Sequence, residues 1–176
     1  MRTRGGRDKP ARDLARAAEA RHRGGIMPAA EVIGIDHVYL TVSSLARSEA
    51  FYDRVLQGAL GFRKNAFTLD GDAHVQYYNR HFSLVIRQAR NRTPHDPYAP
   101  GLHHLCLRVD SIDEVVATAG ALREAGIDAT EAALHPGYAP DYWATFFTDP
   151  DGIRLEVTNY RMERRERHDR WDDLPV

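Results

Sequence analysis

Two histidines and a glutamate stand at matched points of this 176-residue chain. His37 lies in Ile35-Asp36-His37-Val38-Tyr39-Leu40-Thr41-Val42. His104 lies in the similar stretch Leu102-His103-His104-Leu105-Cys106-Leu107-Arg108-Val109, 67 residues further on. Glu156 falls near the end of a third element, Asp149-Pro150-Asp151-Gly152-Ile153-Arg154-Leu155-Glu156-Val157. Two imidazoles and one carboxylate are donors for a divalent ion, and three donors leave coordination positions open for substrate oxygens. A lone strand histidine is more often structural than a ligand. Here the internal repeat raises the three residues to a candidate site.

The elements that must position them follow from alternation. Val38, Leu40 and Val42 alternate with His37, Tyr39 and Thr41, and Leu105, Leu107 and Val109 alternate with His104, Cys106 and Arg108. Period 2 gives each strand an aliphatic face and a mixed polar face. By the same parity Glu156 lies with Arg154 and Thr158, opposite Ile153, Leu155 and Val157. All three candidate ligands therefore share the non-aliphatic side. In the doublet His104 has the ligand parity, and His103 is expected on the helix side or in solvent.

A helix follows each strand. Ser44 precedes a helical pattern over 46–56, and Ser111 with Glu114 forms a capping-box pattern before 115–125. Gly61 and Gly126 stand where these helices end. Strands are expected over 62–68, 73–78 and 82–89 in the first half, and over 127–134, 143–148 and 153–159 in the second. Asp149-Pro150-Asp151-Gly152 is a tight-turn signal between the last two. Each half reads βαβββ, and a proline-rich segment over 92–101 links them. The fold class is α+β, with two tandem βαβββ modules. The modules span about 33–90 and 101–160 of a single domain over 31–160.

The flanks differ. Residues 1–30 are rich in Arg, Ala and Gly with little to bury, which predicts a disordered tail. Residues 161–176 mix acidic and basic groups and read as a charged helix or tail, with Trp171 available to a partner subunit. Hydrophobic residues make up 43% and charged residues 28%, the balance of a soluble globular chain. A net charge of -1 gives no attraction to nucleic acid or an anionic membrane. No apolar run approaches the roughly 20 residues of a membrane span. The single cysteine, Cys106, excludes an intrachain disulfide and fits a reducing, cytoplasmic setting. Cys106 reads as a small pocket-wall residue rather than a nucleophile.

Ile35-Asp36-His37-Val38, Gly101-Leu102-His103-His104-Leu105 and Phe146-Phe147-Thr148-Asp149-Pro150-Asp151-Gly152-Ile153-Arg154-Leu155-Glu156-Val157 resemble the vicinal oxygen chelate superfamily. That group includes glyoxalase I, extradiol dioxygenases, fosfomycin-resistance proteins and bleomycin-binding proteins. The resemblance covers roughly 33–160. It implies a cup of two modules, a homodimer, and one divalent metal ion among Fe(II), Mn(II), Zn(II), Ni(II) and Co(II), held by His37, His104 and Glu156.

Glyoxalase I carries a further glutamate on the last strand of its first half. Here that strand reads Phe82-Ser83-Leu84-Val85-Ile86-Arg87-Gln88. Depending on register, the position facing Glu156 is Val85 or Arg87, and neither is a carboxylate. This departure argues against the glyoxalase I reaction. The expected function is a metalloenzyme binding a small molecule through vicinal oxygens, dioxygenase-like or a glyoxalase-like lyase or isomerase. Glu156 and His74 are the candidate catalytic residues. Arg87 and Tyr142 are the candidate substrate contacts, Arg87 as a cation for an anionic group and Tyr142 in an aromatic loop over 134–142. The alternative is a metal-free protein that sequesters a drug, as bleomycin-binding proteins do.

Overall fold

The computed structural model describes residues 29–30, 32–91 and 93–173. The expected tail over 1–30 falls almost entirely outside the described residues. The described residues from Ile35 onward form one compact unit. The first module comprises β1 (His37–Val42), α1 (Leu45–Tyr52), β2 (Arg63–Leu69), β3 (Asp72–Tyr78) and β4 (Ser83–Gln88). The second comprises β5 (His104–Val109), α2 (Ile112–Glu124), β6 (Ala133–Leu134), β7 (Trp143–Thr148) and β8 (Arg154–Asn159). A last helix, α3 (Met162–Asp169), follows.

Each module makes its own four-stranded mixed sheet, in the orders β1-β4-β3-β2 and β5-β8-β7-β6. In each, the first strand runs parallel to the last, as β1 with β4 and β5 with β8, and the other pairs are antiparallel. The two sheets therefore repeat one topology, as the tandem βαβββ reading requires.

Helix starts follow the caps read from the sequence. Ser44 accepts a hydrogen bond from Arg47 N, and Ser111 and Glu114 make a complete capping box. The first helix departs from expectation past Tyr52, where Asp53–Ala59 winds as a π-helix. Its widened turn is closed by Leu60 N–H donating to Val55 O at 3.1 Å. The strand expected over 127–134 shortens to Ala133–Leu134. Thr130 is the reason. Its backbone N–H donates to Phe146 O, its hydroxyl accepts from Phe146 N–H, and its carbonyl accepts from Thr145 Oγ1. The side chain thus replaces one half of a regular ladder at the sheet edge.

One hydrophobic core joins the modules. Leu40, Val42, Phe51 and Leu56 of the first pack in the same cluster as Leu122, Phe147, Leu155 and Val157 of the second. These come from the helices and the aliphatic strand faces. Polar ties between the modules lie on that side too: Tyr52 Oη donates to Asp149 Oδ2 at 3.1 Å, and Arg47 pairs with Asp151 at 2.7 Å. In the turn, Gly152 takes φ +84°, a left-handed value that disfavours any residue with a Cβ. Among the described residues no helix is long and apolar enough to cross a membrane.

Candidate metal centre and cavity

Register places the candidate ligands. In the second sheet His104 pairs with Arg154 and Cys106 with Glu156, so His104 and Glu156 share a face of adjacent parallel strands. His104 Nε2 stands 3.7 Å from Glu156 Oε2. The Glu156 side chain is 6% exposed and that of His104 44%. In the first sheet His37 pairs with Ser83, Tyr39 with Val85 and Thr41 with Arg87. Matching the two sheets strand for strand puts Val85 at the counterpart of Glu156. The fourth carboxylate position is thus a buried valine, and Arg87 lies two pairs further along on the same face.

Each histidine has its Nδ1 engaged. His37 Nδ1 lies 2.7 Å from Asp36 Oδ1. His104 Nδ1 lies 2.8 Å from His103 Nδ1. A carboxylate only accepts, so His37 Nδ1 is the donor to Asp36 and Nε2 is the ring nitrogen turned away from that contact. In the His103–His104 contact one Nδ1 donates and the other accepts. Donation from His104 gives its Nε2 the lone pair that faces Glu156. Such outer partners fix the tautomer of a ligating histidine. Sequence reading passed over Asp36; His103, expected on the helix side or in solvent, is exposed and also contacts His104 and lines a cavity on this face. The signal was adjacency, since each directly precedes its histidine.

Tyr142 Oη donates to Glu156 Oε1 at 2.5 Å. Burial and this hydrogen bond push the Tyr142 phenol well above its ordinary range. Cys106 as a whole is exposed, but its thiol lies beside Glu156 and Tyr142. Local burial, then the Glu156 charge, pushes it up to about 12. Such a thiol stays protonated at neutral pH, which is poor for a nucleophile and agrees with a wall residue.

A cavity of about 670 Å³ opens on this face, lined by His104, Tyr138, Tyr142, Phe146, Arg154 and Glu156 among others. His103 lines it as well. The first sheet carries a separate, more polar hollow of about 500 Å³ that includes Asn65, Gln76 and Ser83.

The structure does not bring all the sequence-derived residues together. His37 lies on the first sheet, away from the His104–Glu156 pair. Among the described residues no three His, Cys, Asp or Glu side chains of one chain are grouped to hold an ion. His74 is 2% exposed on β3, stacked on Phe67 at 5.0 Å and edge-on to Tyr39. Its Nδ1 lies 2.9 Å from the Asp72 carbonyl oxygen and donates to it, so Nε2 is the nitrogen left without that partner. Arg87 has the expected cup-side register but is paired with Asp72, which also holds Arg90 at 2.9 Å. Arg87 is thus already engaged by a carboxylate within the first sheet, one that it shares with Arg90.

A family model described as the Glyoxalase/Bleomycin resistance protein/Dioxygenase superfamily matches residues 34–157. The chain belongs to this superfamily. It is 31% identical over 128 residues to the uncharacterized protein YaeR of Escherichia coli K12, covering 70% of this chain and 93% of YaeR. Among solved structures it resembles a glyoxylase/bleomycin resistance protein/dioxygenase domain from Frankia sp. EAN1pec, with TM-score 0.61 and 26% identity over 74% of this chain and all of that one. It also shares the fold of a mutant of the fosfomycin resistance protein FosX from Listeria monocytogenes, complexed with Mn(II) and 1S,2S-dihydroxypropylphosphonic acid. That likeness has TM-score 0.57 at 14% identity, over 77% of this chain and 98% of that one.

Proposed function

We propose that the chain is a divalent-metal enzyme acting on a small oxygenated molecule that binds the ion through two vicinal oxygens. The observation that carries this reading is that His104 and the buried Glu156 share one face of adjacent strands, with their donor atoms 3.7 Å apart. Asp36 and His103 engage Nδ1 of His37 and His104, which leaves Nε2 of each ring as the nitrogen that could face an ion. Glu156 Oε2 faces His104 Nε2, completing two of three ligands within one sheet. Mn(II) in the FosX complex, on the same fold, agrees with this ion class.

In this reading the third ligand, His37, comes from a second copy of the chain. One chain packs its modules together through their helices and aliphatic strand faces, while His37 and Tyr39 on the first sheet and His104 on the second stay exposed. A homodimer that sets the first-sheet face of one copy against the second-sheet face of the other closes a cup. It also brings His37 to His104 and Glu156.

When bound, a divalent ion supplies positive charge that polarises substrate oxygens and stabilises anionic states. The chain's own residues do the rest. Glu156 supplies the buried carboxylate, with Tyr142 holding its other oxygen. The ring of Tyr142 and that of Tyr138 wall the cavity against water. His74 offers Nε2 as a proton acceptor on the first-sheet face, and Arg87 sits beside it, oriented by Asp72. Val85 at the fourth position leaves a three-donor set, which favours dioxygenase-like chemistry over a glyoxalase-like lyase or isomerase. The open aromatic cavity also suits a second reading, a metal-free protein that binds and sequesters a ligand.

Elemental analysis of protein purified without chelator separates the two. Metal near one equivalent per chain is expected. Less than about a tenth of an equivalent, with no gain on adding Fe(II), Mn(II) or Zn(II), overturns the enzyme reading. Glu156→Ala is expected to weaken binding ~10-fold or more, since even outer partners have effects of that size.

A further inference from the structure

We propose that the second-module cavity takes a small anion built on a flat apolar frame, with Arg154 as the anchor for its carboxylate or other oxyanion. This deepens the proposed function, because it rests on that cavity being the substrate site. Sequence reading gave the anion to Arg87, whose guanidinium is already paired with Asp72. Arg154 is different. It pairs in register with His104 and stands two residues before Glu156 on the same face, so it lies beside the candidate ligands. It lines the cavity. Its recorded polar partner is the hydroxyl of Tyr98, 3.3 Å from Nη2, and its guanidinium lies 5.5 Å from the centre of that ring. Neither contact carries negative charge. Among the described residues no carboxylate lies within 4.0 Å of it, whereas Arg47, Arg87, Arg90, Arg123 and Arg165 all have one.

Arg154 is therefore a planar cation with no directly paired carboxylate among the described residues, and a guanidinium offers paired N–H groups matched to a carboxylate. The other cup-facing arginine of this sheet, Arg108, is stacked 4.1 Å over Tyr160. Opposite charge alone would admit any anion. The wall narrows the class. Tyr138 meets Tyr142 edge-on at 5.3 Å and stacks on His135 at 5.7 Å, and His135 meets Phe146 edge-on at 5.1 Å. These rings present faces and edges to a flat carbon skeleton. Strands in a sheet lie about 5 Å apart, so an oxyanion on Arg154 sits within a short molecule's reach of oxygens beside His104 and Glu156. The ligand is then a compact aromatic or unsaturated acid carrying neighbouring oxygens.

The test uses the full chain after chelation, so that no metal contributes, with benzoate, neutral benzamide and acetate as probes in ligand-observed NMR titrations. Benzoate is expected to bind ~10-fold more tightly than benzamide and acetate, the scale of one charge-assisted hydrogen bond. Arg154→Gln should remove the preference for benzoate over benzamide, while Arg63→Gln, on the other sheet, keeps it. Tyr138→Ala should weaken benzoate and benzamide alike. Equal binding of the three probes, no binding by wild type, or an unchanged preference in Arg154→Gln overturns the proposal. Such a failure with stoichiometric metal found as purified overturns this assignment and leaves the metal reading standing. A benzoate preference in a protein that takes up no metal supports the anion site and overturns the metal reading.

Discussion

Tyr142 holds one oxygen of Glu156 and thereby aims the other. Its hydroxyl lies 2.5 Å from Oε1, and Oε2 is left facing His104. The loop that carries Tyr142 is pinned in turn by the start of α3: Met162 N–H donates to Asp141 Oδ2 at 2.8 Å, and the Arg161 guanidinium lies 4.8 Å over the Tyr142 ring. Tyr142→Phe keeps the ring and its packing and removes only the hydroxyl. It is expected to weaken Mn(II) or Zn(II) binding by about 10–100-fold, the cost typical of losing an outer partner of a ligand. Titration calorimetry measures this, with Tyr138→Phe as a variant of the same loop that keeps wild-type affinity. Equal losses in the two variants would assign the effect to loop packing.

A cup closed across two copies has a sharp genetic signature. His37→Ala and Glu156→Ala homodimers are each expected to lose metal. In a mixed dimer of the two variants, one cup carries both substitutions and the other carries neither. Co-expression and purification of the mixed dimer should therefore recover about half of the wild-type metal content, on the heterologous pairing of ligands described above. A site built within one chain predicts no recovery, because each chain then keeps one broken ligand.

Much of this was legible in the sequence, and the limits are physical. Alternation fixes a face, so the parity of His37, His104 and Glu156 sets them on the polar sides of β1, β5 and β8. Alternation does not fix register, and the choice between Val85 and Arg87 as counterpart of Glu156 needs the observed pairing of Tyr39 with Val85 and Cys106 with Glu156. Nor does alternation say which faces of two modules meet. The separation of His37 from the other two ligands therefore has no local signature. The Tyr142–Glu156 bond comes from a loop with no period, and the shortened β6 comes from one threonine side chain standing in for backbone. Arg87 was read as a cation without Asp72, because its partner sits on the neighbouring strand β3.

The joint between the modules predicts a stability effect away from the cavity. Tyr52 is fully buried and donates to Asp149 Oδ2. Asp149 Oδ1 accepts from Asp151 N–H and Ile153 N–H, at 2.9 and 2.8 Å. Burial raises the Asp149 carboxyl despite these three donors. The charge there is thus costly to keep, and each donor matters. Tyr52→Phe is expected to cost about 1.5–3 kcal/mol, the range for a hydrogen bond to a charged group. Urea unfolding at neutral pH checks it. A loss near zero would mean that water replaces the phenol.

Asp72 gives the first module an acid-sensitive clasp. The Arg90 hydrogen bond lowers its carboxyl, helped by the charge of Arg87. The folded value lies below the unfolded one, near the ordinary aspartate value of about 3.9. Its contribution is therefore fully present above about pH 3.9 and is lost as pH falls through the folded value. The difference in melting temperature between wild type and Asp72→Asn should hold steady from neutral pH down to about 5 and close as the pH drops below about 4. It should also shrink at neutral pH in about 1 M salt, where the screening length is about 3 Å. A difference that survives both acid and salt would mean that Asp72 acts through its packing on β3 rather than through charge on Arg87 and Arg90.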